Sequence, residues 1–281
     1  MRQRIEEEEE EEDRISALSD SLLYHILSFL PMKDTAVTSL LSKRWKPLFL
    51  SQLTLNFDDK DSTLRKFFNS FLTKRDNTLP ILSLNLKFYK FRCARDVQTF
   101  IDSANIINLT NNLNLDLCNS VLPSFFLNSK TLSVLKLKCL TFKDVPQVHL
   151  PLLKALHMES VTFTSFSQVH LPLLKALHME YVTFRSHEYL WKLLSGVPLL
   201  EELETKNLIV YTTYSDCRCC SHSQRRVACF SKLVKANICD MHSLFDWFHN
   251  VEHLRLQVFP LQLVCLLPLF NLLLSLVVSV F

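Results

Sequence analysis

The spacing of hydrophobic positions changes once along this chain, and the change divides it. In the N-terminal part Leu18, Leu22, Leu23, Ile26, Leu27 and Leu30 recur at helical intervals, which makes one face of a helix apolar. Ser19 or Asp20 stands where a cap would accept from exposed backbone N–H groups, and Pro31 closes the run, so the pattern predicts a helix from Asp20 to Leu30. Asp34 repeats the capping signal, and Val37, Leu40, Leu41, Trp45 and Leu48 carry the apolar face through two further short helical pieces ended by Pro47. Three short helices in about 35 residues cannot enclose a full core. Such a unit leaves apolar side chains for a partner or for the domain that follows.

Beyond Leu48 the period shortens to Leu-x-Leu elements that open at Leu53, Leu84, Leu113, Leu135, Leu156, Leu177, Leu203, Ala236, Leu254 and Leu276. Their spacings are 31, 29, 22, 21, 21, 26, 33, 18 and 22 residues. The strings Gln147–Glu159 and Gln168–Glu180 are identical, QVHLPLLKALHME, and each is followed one residue later by Val-Thr-Phe. This is a 21-residue tandem duplication. The preceding copy fits the same frame, with Leu132, Leu135, Leu137, Leu140 and Phe142 matching Leu153, Leu156, Met158, Val161 and Phe163. Self-similarity at such a period with L-x-x-L-x-L is the leucine-rich-repeat signature. A single repeat cannot bury its apolar side alone, so neighbours stack.

The predicted class is therefore α/β: a short helical unit, then a right-handed solenoid with parallel strands on its concave face. The longer early spacings leave room for helices over Leu64–Leu72 and Val97–Ile107. Leu140, Val161 and Val182 stand where many repeats of this class carry Asn or Cys, so backbone groups at that turn need other partners. Gly196 is expected to supply the φ > 0 residue that ends a helix starting near His187.

Side chains between the inward leucines face the concave surface, where such solenoids bind. In this frame they are Val134, Lys136 and Lys138; Ala155, His157 and Glu159; Ala176, His178 and Glu180; Glu202, Glu204 and Lys206; Lys235 and Asn237; His253, Arg255 and Gln257. Lys136, Lys138, His157, Glu159, His178, Glu180, Glu204 and Arg255 are the candidate substrate face. The two His/Glu rows resemble a metal or acid-base site, but they are copies of one duplicated repeat, and a solvated strand face accounts for them better. No metal and no cofactor is expected.

Composition removes several chemistries. The chain has 281 residues and one glycine, where average usage would give roughly 20. A Rossmann fingerprint, a Walker loop or a G-x-S-x-G elbow each needs several glycines to turn the backbone or approach a phosphate. None can be built here, and the chain is read as not an enzyme. Residues 1–13 hold eight acids against Arg2 and Arg4, leaving 29 basic and 20 acidic side chains elsewhere. An acidic run of this kind reads as a disordered tail. The remaining positive charge is spread along the chain, so no nucleic-acid patch follows. Nine cysteines without a secretory signal point to reduced thiols in cytoplasm and/or nucleus.

The strings Asp13–Ser16 (DRIS), His25–Pro31 (HILSFLP) and Leu41–Trp45 (LSKRW) closely resemble the plant F-box motif. The resemblance implies docking on a Skp-type adaptor, and through it on a cullin, with Leu18, Leu22, Leu23, Ile26, Leu27, Leu30, Pro31 and Trp45 at or near that interface. Ser19 departs from the family, which usually has proline there. Leu193–Leu203 (LLSGVPLLEEL) resembles an element of plant F-box proteins that carry leucine-rich repeats and a C-terminal FBD region. The implied function is substrate recognition for an SCF-type ubiquitin ligase, with an unidentified target protein on the repeats. A repeat scaffold without a ligase role is the alternative. The domains are then an acidic tail over 1–12, an F-box over 13–52 and a solenoid over 53–281, with a Cys-rich insertion at about 211–229.

Two weaker signals remain. Cys217, Cys220, His222 and Cys229 offer four soft ligands, yet structural zinc sites usually use two separated pairs, so a thiol-containing surface loop is preferred. Residues 256–281 carry no charge and are long enough to span a bilayer. Pro268, Gln262, Asn271 and the fit of Leu273, Leu276 and Val278 to the repeat frame favour a buried terminal repeat over a membrane anchor. The expected chain stops inside an apolar strand without a polar capping repeat, as a truncated family member would.

Overall fold

A computed structural model describes residues 14–15, 17–59, 64–76, 78–88, 110–122, 127–211, 230–239 and 251–257. The acidic tail, the helix expected over Val97–Ile107, the Cys217–Cys229 cluster and the apolar segment after Gln257 lie outside the described residues.

Three short helices open the chain: α1 (Asp20–Ser28), α2 (Met32–Thr38) and α3 (Trp45–Leu50). The expected caps are not used. Ser19 is extended at the N-cap of α1, but its hydroxyl meets Ser21 Oγ at 3.0 Å instead of a backbone N–H. Asp34 sits inside the first turn of α2, whose N-cap is Pro31. Pro47 does not end α3; it lies in that helix's first turn, where the missing N–H has no intrahelical partner to lose. Hydroxyls do part of the work of the absent glycines. Ser28, Thr38 and Ser51 donate to the carbonyls of His25, Thr35 and Pro47 at 2.7, 2.7 and 2.8 Å, satisfying backbone groups near the helix ends.

The sheet follows. Strands β1 (Thr54–Asp59), β2 (Ile81–Phe88), β3 (Thr110–Leu122), β4 (Val134–Phe142), β6 (Ala155–Phe163), β8 (Ala176–Glu180), β10 (Glu202–Lys206), β12 (Lys235–Cys239) and β13 (His253–Gln257) run parallel in that order. Leu84, Leu113, Leu135, Leu156, Leu177, Leu203, Ala236 and Leu254 share one register row. The first coil corrects the expected frame: Leu55, not Leu53, pairs with Leu84 and is fully buried.

What fills the return side depends on coil length. The two 21-residue coils use short strands, β5 (Val145–His149) and β7 (Phe166–His170), which pair with each other. The longer coils use helices, α4 (Leu64–Lys74) and α5 (His187–Ser195). A helix rises about 1.5 Å per residue and a strand about 3.3 Å, so covering the same distance takes roughly twice the residues. Strand pairs β9 (Thr183–Phe184) and β11 (Ile209–Val210) continue the corner after the main strands.

That corner has no asparagine ladder. Cys139, Ser160, Tyr181 and Asn207 adopt positive φ of 49–54° immediately before the buried or half-buried Leu140, Val161, Val182 and Leu208. Coil-to-coil bonds serve the backbone, among them Thr164 N to Phe142 O at 3.1 Å and Ile209 N to Val182 O at 2.9 Å. Phe142, Phe163 and Phe184 stack face to face, with centroids 5.3 and 5.6 Å apart. An aromatic column thus takes the place of a polar one. Area burial and ring contact stabilise it.

Gly196 also differs from expectation. It ends α5, but with φ −84° and ψ 2°, which any residue can adopt. Ser186 caps the other end, accepting from Glu188 N at 3.1 Å. Replacing Ser186 with alanine is expected to lower stability by about 1 kcal/mol, read as a lower urea midpoint with an unchanged slope.

Candidate functional site

Two surfaces stand out, one on the helical unit and one on the sheet. Leu23, Leu27, Trp45 and Leu48 form a small core of their own, with Leu18, Tyr24 and Leu30 packed against it. Arg44 locks it from outside, donating to Asp20 Oδ1 at 2.9 Å and to Leu18 O at 2.7 Å. Met32 and Phe49 face the other way, into the solenoid core. Asn56 of β1 donates to Ser28 O of α1 at 3.1 Å. The helical unit therefore packs on the first coil and covers it.

The apolar residues of α1 and its two flanks are split between two faces. Leu23 and Leu27 are buried, Leu18 and Leu30 are half-buried, while Leu22, Ile26 and Pro31 are exposed. Phe29 is 71% exposed and follows Leu22 and Ile26 on the same helical stripe. His25 meets its ring edge-on at 4.9 Å. Val37 of α2, and Leu40 and Leu41 just after it, add exposed apolar side chains, Leu40 reaching 83%. Phe29 was not singled out by periodicity. The signal was present, since α1 carries more apolar residues than one inward face can use.

The sheet surface is built by side chains that alternate with the buried leucines. Lys136, His157, His178, Glu204, Asn237 and Arg255 occupy one register row; Lys138, Glu159, Glu180 and Lys206 occupy the next. The structure brings these residues into one open groove of about 390 Å³, with Asn114 and without Asn237 or Arg255. Within it the imidazoles of His157 and His178 stack at 4.5 Å.

The acid partner of His178 is not the glutamate of its own repeat. His178 Nδ1 lies 2.9 Å from Glu204 Oε2 on the neighbouring strand. Lys206 Nζ at 3.2 Å and Asn237 Nδ2 at 3.3 Å reach the other oxygen. Burial raises the Glu204 pKa, but the hydrogen bonds and charges of Lys206 and His178 outweigh it and hold the carboxyl below its usual range. Glu159 is taken by Lys138 at 2.6 Å, which raises the lysine's pKa. His157 is pulled down by burial, then by His178 and Lys136, and stays neutral at ordinary pH. Among the described residues no group of three His, Cys, Asp or Glu side chains is placed to hold a metal ion. None of their helices is long and apolar enough to cross a membrane.

Comparison with known proteins bears on both surfaces. Residues 15–55 match the model of the F-box domain. An F-box/LRR-repeat protein of Arabidopsis thaliana is 35% identical over 208 residues, covering 68% of this chain and 49% of the relative. An F-box/FBD/LRR-repeat protein of the same plant is 38% identical over 159 residues, 51% of this chain and 37% of the relative. A putative FBD-associated F-box protein is 34% identical over 206 residues, 68% of this chain and 43% of the relative. The chain thus spans about a third to a half of the length of the curated relatives it matches. No solved structure matches it.

Proposed function

From an N-terminal F-box domain followed by a leucine-rich-repeat solenoid, the plan of the plant F-box/LRR type, we propose a substrate-recognition subunit of an SCF-type cullin-RING ubiquitin ligase. The observation that carries the proposal is the outward apolar stripe of Leu22, Ile26 and Phe29 on a helix whose other face is already satisfied. A stripe that the fold does not cover fits an apolar adaptor groove. In this reading Leu22, Ile26 and Pro31 touch the Skp-type adaptor. Leu23, Leu27 and Trp45 hold the stripe in place from beneath, with Leu18 and Leu30 beside them.

The mechanism is proximity. The F-box binds the adaptor and through it the cullin, the sheet groove binds a target protein, and Met32 and Phe49 tie the two together, so target lysines stay near the ubiquitin-loaded enzyme. The covalent chemistry belongs to the partners, and the compartments are cytoplasm and/or nucleus.

Co-purification with a plant Skp-type adaptor tests this. Leu22→Asp with Ile26→Asp is expected to weaken binding by at least roughly 100-fold, because two carboxylates are buried without partners. Both positions are exposed, so the circular-dichroism spectrum and urea midpoint stay unchanged. A folded native chain that fails to bind the adaptor sinks the ligase reading and leaves a repeat scaffold.

A further inference from the structure

The sheet groove has an uneven distribution of spent and unspent polar groups. Several of its polar side chains are paired: Lys138 with Glu159, and Glu204 with His178 and Lys206. Asn114, Lys136 and His157 are different. They sit side by side in register on three adjacent strands, β3, β4 and β6, about 4.8 Å apart. Among the described residues, the side chains of Asn114, Lys136 and His157 make no hydrogen bond or ion pair, and the His157 ring stacks on His178.

We propose that this trio binds a side-chain carboxylate presented by an acidic segment of the target protein. The inference rests on reading the groove as the target face.

Three features select that ligand. Lys136 has three N–H donors and no acceptor, the neutral His157 ring has one N–H, and the Asn114 amide has two. An anion with free lone pairs completes them without breaking any existing pair. Charge sets the valence. Lys136 is the one lysine of the groove that makes no ion pair, while Glu159, Glu180 and Glu204 line the same groove, so a single negative charge can be met at Lys136 and a doubly charged phosphoryl group is opposed. Shape sets the stem. One pleat along the same face, Val134, Ala155 and Ala176 pair in register and are half-buried. They form a small apolar shelf that suits the methylenes of Glu or Asp.

A random-peptide display library panned on the full chain tests the assignment. Selected peptides are expected to share an Asp or Glu, and changing it to the amide should cost roughly tenfold in affinity, as loss of a charge-assisted hydrogen bond does. Lys136→Gln in the chain should cost about the same and should not add to the peptide change, the mark of a direct pair. Lys136 is exposed and unpaired, so this variant keeps the native urea midpoint. Tighter binding of the phosphoserine form of a selected peptide overturns the single-charge match. Ala155→Arg, which fills the shelf, separates the two failures. Peptides lost on Ala155→Arg but indifferent to Lys136→Gln overturn the carboxylate assignment and leave the target face standing. Peptides indifferent to both, or no selected peptides, remove the target face and this inference together.

Discussion

Replacing Arg75 with methionine is expected to cost the fold about 3–5 kcal/mol, the largest effect of any single substitution considered for this chain. Arg75 follows α4 and is only 4% exposed. Its guanidinium gathers four backbone carbonyls: Nη1 donates to Asp76 O at 3.0 Å and Leu79 O at 2.8 Å, and Nη2 to Pro80 O at 3.0 Å and Gln52 O at 3.3 Å. Those carbonyls come from the turn before β2 and from the junction between the helical unit and β1. Burial lowers the arginine's pKa, and Asp76 works against that shift. The group stays charged regardless, because it starts so high.

Methionine preserves much of the volume but none of the donors, so the carbonyls lose their partners in a partly buried site. Each unsatisfied group costs about 1–3 kcal/mol. Lysine restores the charge without the planar fork and should recover part of the loss. Equilibrium urea unfolding, followed by tryptophan fluorescence, measures it. A Met variant within about 0.5 kcal/mol of native would mean that water replaces the guanidinium at no cost, and the interpretation would be wrong.

Gly196→Ala is expected to destabilise by about 2–3 kcal/mol. A Cβ built on Gly196 would lie 2.6 Å from Val169 O, 2.8 Å from Val169 Cγ1 and 2.9 Å from Val169 C. The obstacle is mostly backbone. Moreover Gly196 O accepts from Leu171 N at 3.0 Å, so α5 cannot shift away from β7 without weakening a coil-to-coil bond. Alanine at this φ would ordinarily gain about 0.4–1 kcal/mol by restricting the unfolded chain. The clash exceeds that gain. Val169→Ala in the same chain removes the Cγ1 contact and leaves the carbonyl, so rescue should be partial. Full rescue would show that the side chain alone was limiting, and a neutral Gly196→Ala would show that the coil yields.

These two residues mark where reading the chain worked and where it stopped. Gly196 was visible as the lone glycine at a helix end, and the helix is there from His187 to Ser195. Its reason for being glycine was not visible, because the neighbour is a carbonyl 27 positions upstream and no local rule contains it. Arg75 carries no pattern at all, since four carbonyls around a cation leave no trace in side-chain order. In the helical unit the apolar period located α1 correctly, yet periodicity treated Leu22, Leu23, Ile26 and Leu27 as one face. Packing separated them into a core pair and an exposed pair.

The sequence by itself determined the plan: a helical F-box, a 21-residue period repeated almost verbatim, the Leu-x-Leu strands and the alternating polar face. Those follow from periods of 3.6 and 2, which are local and survive in one dimension. It also determined that Lys136, His157, His178 and Glu204 share a row, because the duplicated frame fixes the register. Only the tertiary structure decided which of them pair. Glu204 lies one coil after His178 and binds it across strands, which leaves His157 and Lys136 unspent. Pairing across coils depends on side-chain reach and competing partners in three dimensions, and hydrophobic spacing carries no record of either.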